Sequence, residues 1–237
     1  MKLLRETVRN IFLTESMHPK ISNLCAFVEK SDKLEIHMVM EDSDYLEIKL
    51  INGEYEDGMP NVVGHLETFQ DKKNLPCLGG FEILWSSVEG GFGPLLYDLA
   101  MEYATEYGGG LMCDRRNVSS AAYQIWDKYL NLRCKPDKFG KCTSADIQIK
   151  QLDTSTYPKT ETPFDDCEDI SSFEHWKDTK TAADSYDQDE FVEHWFSNSD
   201  PLSKVYAKTN RAVTKRLASK ISWFQDGITI GAPSWAK

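Results

Sequence analysis

Three early stretches of the chain, Leu34–Met40, Tyr45–Ile51 and Val62–Phe69, have the hydrophobic patterning of strands. In the second, Leu46, Ile48 and Leu50 interleave with Glu47 and Lys49, the period-two pattern of a strand with one buried face. Asp42-Ser43-Asp44 and the segment from Gly53 to Pro60 supply turn residues between them. A fourth apolar, aromatic and β-branched run, Phe81–Ser87, extends the series into a predicted antiparallel meander. The period then changes. Behind Gly90, Gly91 and Gly93, Pro94 sits where a helix begins, and Leu95, Leu96, Leu99, Met101 and Tyr103 recur at helical spacing until Gly108-Gly109-Gly110. Leu111–Cys113 reads as a short strand, Asp114–Val118 as a polar turn, and Ser119 as the N-cap of a helix reaching about Leu130. Lys2–Thr14 predicts an amphipathic first helix, with a chain break at Pro19 and Ser22-Asn23. Ala145–Lys150 predicts a last strand. The expected fold class is α/β with a mixed, mostly antiparallel twisted sheet flanked by helices.

Composition changes the picture in the last third. Thr154–Pro163 reads as a linker, and Glu161–Asp200 then carries thirteen acidic side chains against two lysines. Pro201–Lys237 reverses this, with seven basic residues and one acid. The net charge of −11 thus divides into −11 for the block, +6 for the tail and −6 for the rest. The expected division is a domain at 1–153 and an appendage at 154–237, whose basic tail is attracted to its own acidic block. An acidic chain is a poor match for nonspecific nucleic-acid binding, which depends on neutralising phosphates. No apolar run approaches the roughly 20 residues of a membrane helix. Met1–Glu15 lacks the apolar core of a secretory signal, and the six cysteines form no Cys-x-x-Cys pair. The expectation is a cytoplasmic protein with reduced thiols. Five scattered histidines give no ligand spacing, so no metal is expected.

The candidate chemistry lies at the glycine turn. A turn feeding a helix N-terminus presents unpaired N–H groups and the positive end of the helix dipole, a site for phosphate or pyrophosphate. Val88-Glu89-Gly90-Gly91-Phe92-Gly93, followed by Leu95-Leu96, resembles the pyrophosphate motif of the GNAT superfamily of acetyl-CoA-dependent N-acetyltransferases. Asn117, Ala122 and Trp126 are similar to that family's second signature. More narrowly, Gly93-Pro94-Leu95-Leu96-Tyr97-Asp98 and Asp114-Arg115-Arg116 resemble GNAT-like proteins of tailed bacteriophages. The resemblance covers roughly residues 60 to 135.

It implies a GNAT-like fold and acetyl-CoA as co-substrate, bound by Ser86, Val88, Gly90, Gly91, Phe92, Gly93, Pro94, Asn117 and Trp126. It further implies direct attack of a primary amine on the thioester, with a strand carboxylate, Glu67 or Glu82, as base. Two departures stand out. Val88 occupies the place of the usual glutamine or arginine, and Trp126 that of the tyrosine acid. Indole cannot donate a proton at neutral pH, so Tyr123 becomes the candidate acid, with Tyr129 beside it. The acceptor pocket falls to the loops Asn10–Ala26 and Cys134–Ser144, and the acceptor itself is a protein lysine, an N-terminus or a small amine. The alternative function is a non-catalytic GNAT-fold phage protein that binds a host protein or belongs to the virion.

Overall fold

Proline opens the first helix of this protein and does not break the chain. In the computed structural model, which describes residues 17–55, 57–70, 77–113, 120–132, 135–136, 142–143, 146–151, 201 and 204–237, α1 runs Pro19–Lys30 with Pro19 in its first turn. His18 is the N-cap, and its ring accepts a hydrogen bond from the Lys20 N–H at 3.3 Å. A missing N–H costs nothing there, and Ile21, Cys25 and Val28 form one buried stripe. The predicted break at Pro19 and Ser22-Asn23 is therefore helical, as is much of the loop expected at Asn10–Ala26. The predicted helix at Lys2–Thr14 lies outside the described residues.

Four antiparallel strands follow: β1 (Leu34–Glu41), β2 (Tyr45–Glu54), β3 (Pro60–Phe69) and β4 (Gly80–Val88). Their alternation puts Leu34, Ile36, Met38, Leu46, Ile48, Leu50 and Leu66 in the core. Helix α2 (Gly93–Tyr107) then carries the chain to β5 (Gly110–Met112), which pairs parallel with β4. A parallel neighbour requires such a crossover. Every residue of α2 from Leu95 to Ala104 is buried, Asp98 and Glu102 included, so this helix is the centre of the molecule. Where it meets the sheet, a Cβ on Gly109 would run into the carbonyl oxygen of Leu78, and the Gly109 N–H donates to Gly79 O at 2.7 Å. Helix α3 (Ser120–Leu132) comes next. A two-stranded ladder, β6 (Lys135–Pro136) with β7 (Cys142–Thr143), precedes β8 (Ile147–Gln151).

The C-terminal stretch, expected in an appendage, supplies three strands to the same sheet. They are β9 (Lys204–Lys208), β10 (Ile221–Gln225) and β11 (Ile228–Ile230), with the short helix α4 (Ala212–Arg216) between the first two. The sheet order is β11-β10-β1-β2-β3-β4-β5-β9-β8, nine strands among the described residues, with parallel pairs at β1/β10 and β4/β5. The protein is thus mixed α/β.

Three basic residues of that stretch, Lys208, Arg211 and Arg216, meet acids that do not belong to the acidic block, which lies outside the described residues. Lys208 Nζ stands 2.8 Å from Asp98 Oδ2 and 3.0 Å from Asp146 Oδ2, all three side chains buried. Arg211 pairs with Glu106 and Arg216 with Glu29 of α1. Glu102 accepts the Val213 and Thr214 N–H groups at 2.9 and 2.8 Å, which caps α4 from the central helix. Lys208, Arg211 and Arg216 are therefore paired within the protein, and the expected attraction to the acidic block falls on residues that are not described. Burial pushes the Glu102 carboxyl above its usual range, while Lys208 and the two N–H donors pull the other way.

Under α1, burial pushes the Cys25 thiol up to about 12, with the nearby Arg216 charge opposing. An acid whose pKa is raised by folding binds its proton more tightly in the native state, so its contribution to stability falls as pH rises between 9 and about 12. At pH 8 the thiolate is scarce and enclosed. A maleimide or disulfide reagent is accordingly expected to leave Cys25 unmodified in the native protein and to label it in urea. Peptide mass mapping reads the result.

Candidate functional site

Strands β4 and β5 pair only over the first residues of β4. Gly80, Phe81 and Glu82 lie opposite Gly110, Leu111 and Met112, but β4 continues to Val88 while β5 stops at Met112. From Ile83 to Val88, that edge of β4 has no strand partner among the described residues, although the opposite edge stays paired with β3. Leu84 and Trp85 are exposed along this half. At the end of this unpaired half stands the glycine turn. Gly90 and Gly91 have φ of 61° and 78°, in the left-handed region where only glycine is unstrained. The Glu89 N–H is tied to Val63 O and the Phe92 N–H to Glu89 O, which folds the turn on itself. Helix α2 starts at Gly93 without any side-chain cap. Among the described residues the N–H groups of Gly90, Gly91 and Gly93 make no backbone hydrogen bond, and a Cβ at Gly91 or Gly93 would meet nothing within 4 Å.

This end is therefore a concave row of N–H donors at a positive helix terminus, open to solvent. The Glu89 carboxylate shares the turn and works against an anion. On the α1 side a cleft of about 270 Å³ adjoins Gly90, bounded by Phe27, Ser31, Val63, Glu89 and Phe92. Phe27 and Phe92 lie ring to ring at 5.8 Å, and the Phe27 side chain is 60% exposed.

Ser86 and Val88 face α2. The Ser86 hydroxyl and the Tyr97 phenol share a hydrogen bond at 3.2 Å, and the Val88 side chain reaches toward Gly64, as does Leu96 of α2. Burial holds the Tyr97 phenol above its usual range, so it remains protonated at neutral pH. In the sequence, the Tyr97 hydroxyl stands out only as part of the Gly93–Asp98 motif, without a role of its own. Pro94 O receives the Tyr129 hydroxyl at 3.5 Å, which ties α3 to the start of α2. Tyr123 is partly buried on α3. Trp126 is 1% exposed, stacked on Tyr206 at 5.1 Å and edge-on to Tyr97 at 5.6 Å. It is a core residue of the wall behind the turn. Asn117 lies outside the described residues.

The two candidate bases take the other face of the sheet. Glu67 lies opposite Trp85, and Glu82 opposite Phe69, whereas Ser86 lies opposite the buried Leu66. A shift in the β3/β4 register between Glu67 and Thr68 separates the two carboxylates along the ladder. Glu67 belongs to a polar group on that face. His65 Nε2 lies 3.1 Å from Glu67 Oε1 and 2.9 Å from Glu47 Oε1, and Lys49 Nζ lies 2.7 Å from the same Glu47 oxygen. Tyr45 hydrogen-bonds Glu67, and burial, followed by the charges of Glu67 and Glu47, raises its phenol. The His65 component had no signal in ligand spacing along the chain, because its partners come from a neighbouring strand and from two residues on.

No family model matches this chain, and no curated protein or solved structure matches it either. Among the described residues no helix is long and apolar enough to cross a membrane.

Proposed function

We propose that the glycine turn binds the pyrophosphate of acetyl-CoA and that the protein transfers the acetyl group to a primary amine. The observation that carries this reading is the coincidence of three features at one place. The turn's free N–H groups, the start of the central helix and the far end of the unpaired edge of β4 meet at Gly90–Gly93. An extended pantetheine arm can lie along that edge and use the peptide groups of Ile83–Val88, in the manner of strand addition. Phe27 offers a ring on which a purine can stack. The amine attacks the thioester directly, so no nucleophilic side chain is required, and backbone N–H groups stabilise the developing oxyanion. The Val88 departure removes one side-chain anchor, while the backbone donors that do most of the holding stay in place.

Calorimetric titration of acetyl-CoA tests the site. Gly91→Glu puts a carboxylate where the pyrophosphate would lie, and Gly91→Asn serves as its control, since asparagine tolerates a left-handed backbone without adding charge. Wild type and Gly91→Asn are expected to bind, and Gly91→Glu to lose binding. A folded wild type that takes up no acetyl-CoA ends the enzyme reading. The fixed core position of Trp126, which cannot serve as a proton donor, favours a second reading in which the same turn binds the ligand without chemistry. Saturable binding with no turnover across lysine peptides, polyamines and aminoglycosides would select it.

A further inference from the structure

We propose that Glu47, His65 and Glu67 form a binding site for one first-row divalent cation on the sheet face turned away from α2. The three residues occupy adjacent central strands, and the ladder fixes their relation. Glu47 lies directly opposite Glu67, and His65 stands two residues before Glu67 on the same side of β3. Like charges facing each other across an antiparallel pair destabilise a sheet, so this pair calls for a cation between them. One ligand atom from each residue, His65 Nε2 and the two carboxylate oxygens, lies within 4.8 Å of the others.

The geometry around His65 separates a ligand set from an ordinary ion pair. Nε2 is 2.9 Å from one carboxylate and 3.1 Å from the other, yet forms a hydrogen bond of acceptable angle with neither, and it is screened from solvent. A protonated imidazole bridging two glutamates would aim its N–H at one of them. Atoms that share a metal instead point at a common centre. Ligands at about 2.1 Å from a cation and at right angles to one another stand roughly 3 Å apart, which is the spacing of His65 Nε2 from each of the two carboxylate oxygens. The side chains of Glu47, His65 and Glu67 are 16%, 27% and 27% exposed, so a cation has an entry path and room for water ligands. Tyr45, hydrogen-bonded to Glu67, supplies the outer support that orients a ligating carboxylate. Lys49, at 2.7 Å from Glu47, competes for one ligand oxygen and swings aside when the cation enters. One imidazole with two carboxylates suits Zn²⁺ or Mn²⁺ better than Mg²⁺, which prefers oxygen alone and gives up water reluctantly.

Metal-free protein is titrated with Zn²⁺, Mn²⁺ and Mg²⁺ by calorimetry, and metal content is measured after gel filtration. One equivalent of Zn²⁺ or Mn²⁺ is expected. His65→Gln and Glu67→Gln should each weaken it by more than about 100-fold, since even outer-sphere residues cost about 10–100-fold. Lys49→Met should tighten it, and Glu35→Gln, an exposed acid elsewhere on β1, should leave it unchanged. Circular dichroism checks that each variant is folded. Independently of any variant, Mn²⁺ should broaden the His65 imidazole proton signals of the wild type far more than those of His37. Absence of saturable uptake, uptake that survives both ligand variants, or broadening that spares His65 overturns the proposal.

Discussion

Replacing Lys208 by methionine is expected to lower the stability of the protein by about 3–5 kcal/mol. Lys208 closes a buried group in which two carboxylates, from α2 and from the residue before β8, share one ammonium. A lone pair at the surface would contribute little, but here both acids are removed from water. The Lys208 ammonium offsets part of the cost of burying them. Methionine fills most of the volume and supplies no charge, so Asp98 and Asp146 lose that partner. The triple variant Asp98→Asn/Asp146→Asn/Lys208→Met should recover much of the loss, because removing all the charges removes the desolvation cost along with the attraction. Urea unfolding curves of the three proteins check this. A single variant as stable as wild type would show that the cluster does not hold the C-terminal strands to the central helix.

Trp126→Ala is expected to cost about 3–5 kcal/mol, the range for emptying a large aromatic site in a core. The indole is enclosed by Tyr97, Tyr129 and Tyr206, which come from α2, α3 and β9. The Tyr206 hydroxyl donates to Pro201 O at 2.9 Å, so the ring stacked on Trp126 is itself anchored and cannot easily collapse into the space. Trp126→Phe keeps most of the packing and should cost much less. If the proposed acetyl-CoA site is correct, folded Trp126→Phe binds acetyl-CoA as the wild type does, since the indole faces the core. Denaturant midpoints measure the first effect and calorimetry the second. A stable alanine variant with weakened acetyl-CoA binding would instead make Trp126 a lining residue of the site.

Strands β1 and β2 were legible because each has one wet face and one dry face, and alternation records that difference residue by residue, while β4 was legible from its apolar, aromatic and β-branched composition. Helix α2 was legible from its flanking glycines and Pro94. The two buried acids inside it carried no warning, because the partners Lys208 and Val213 arrive 110 and 111 residues later. The turn at Gly90-Gly91 was legible from composition, and the early end of β5, which leaves the Ile83–Val88 edge of β4 without a strand partner among the described residues, was not. The C-terminal strands had a local signal that the charge of the segment overshadowed. Ile221–Gln225 and Ile228–Ile230 flank Asp226-Gly227, whose φ of 50° and 77° make the tight hairpin that Asp-Gly favours. Pro19 misled in the other direction, since proline ends helices from within and begins them from the first turn.

Local pattern alone determined the meander, the central helix, the glycine turn that feeds it and the mixed α/β class, since each depends on residues within a few positions of one another. Tertiary structure decided what the charged residues do. It set Lys208 and Glu102 as internal ties between the C-terminal strands and the core, and it gathered Glu47, His65 and Glu67 across two strands. It also enclosed Trp126 among three tyrosines. The reason is physical: hydrophobic periodicity is written along the chain, whereas the partner that neutralises a charge is chosen by strand order and register, which no short window of sequence contains.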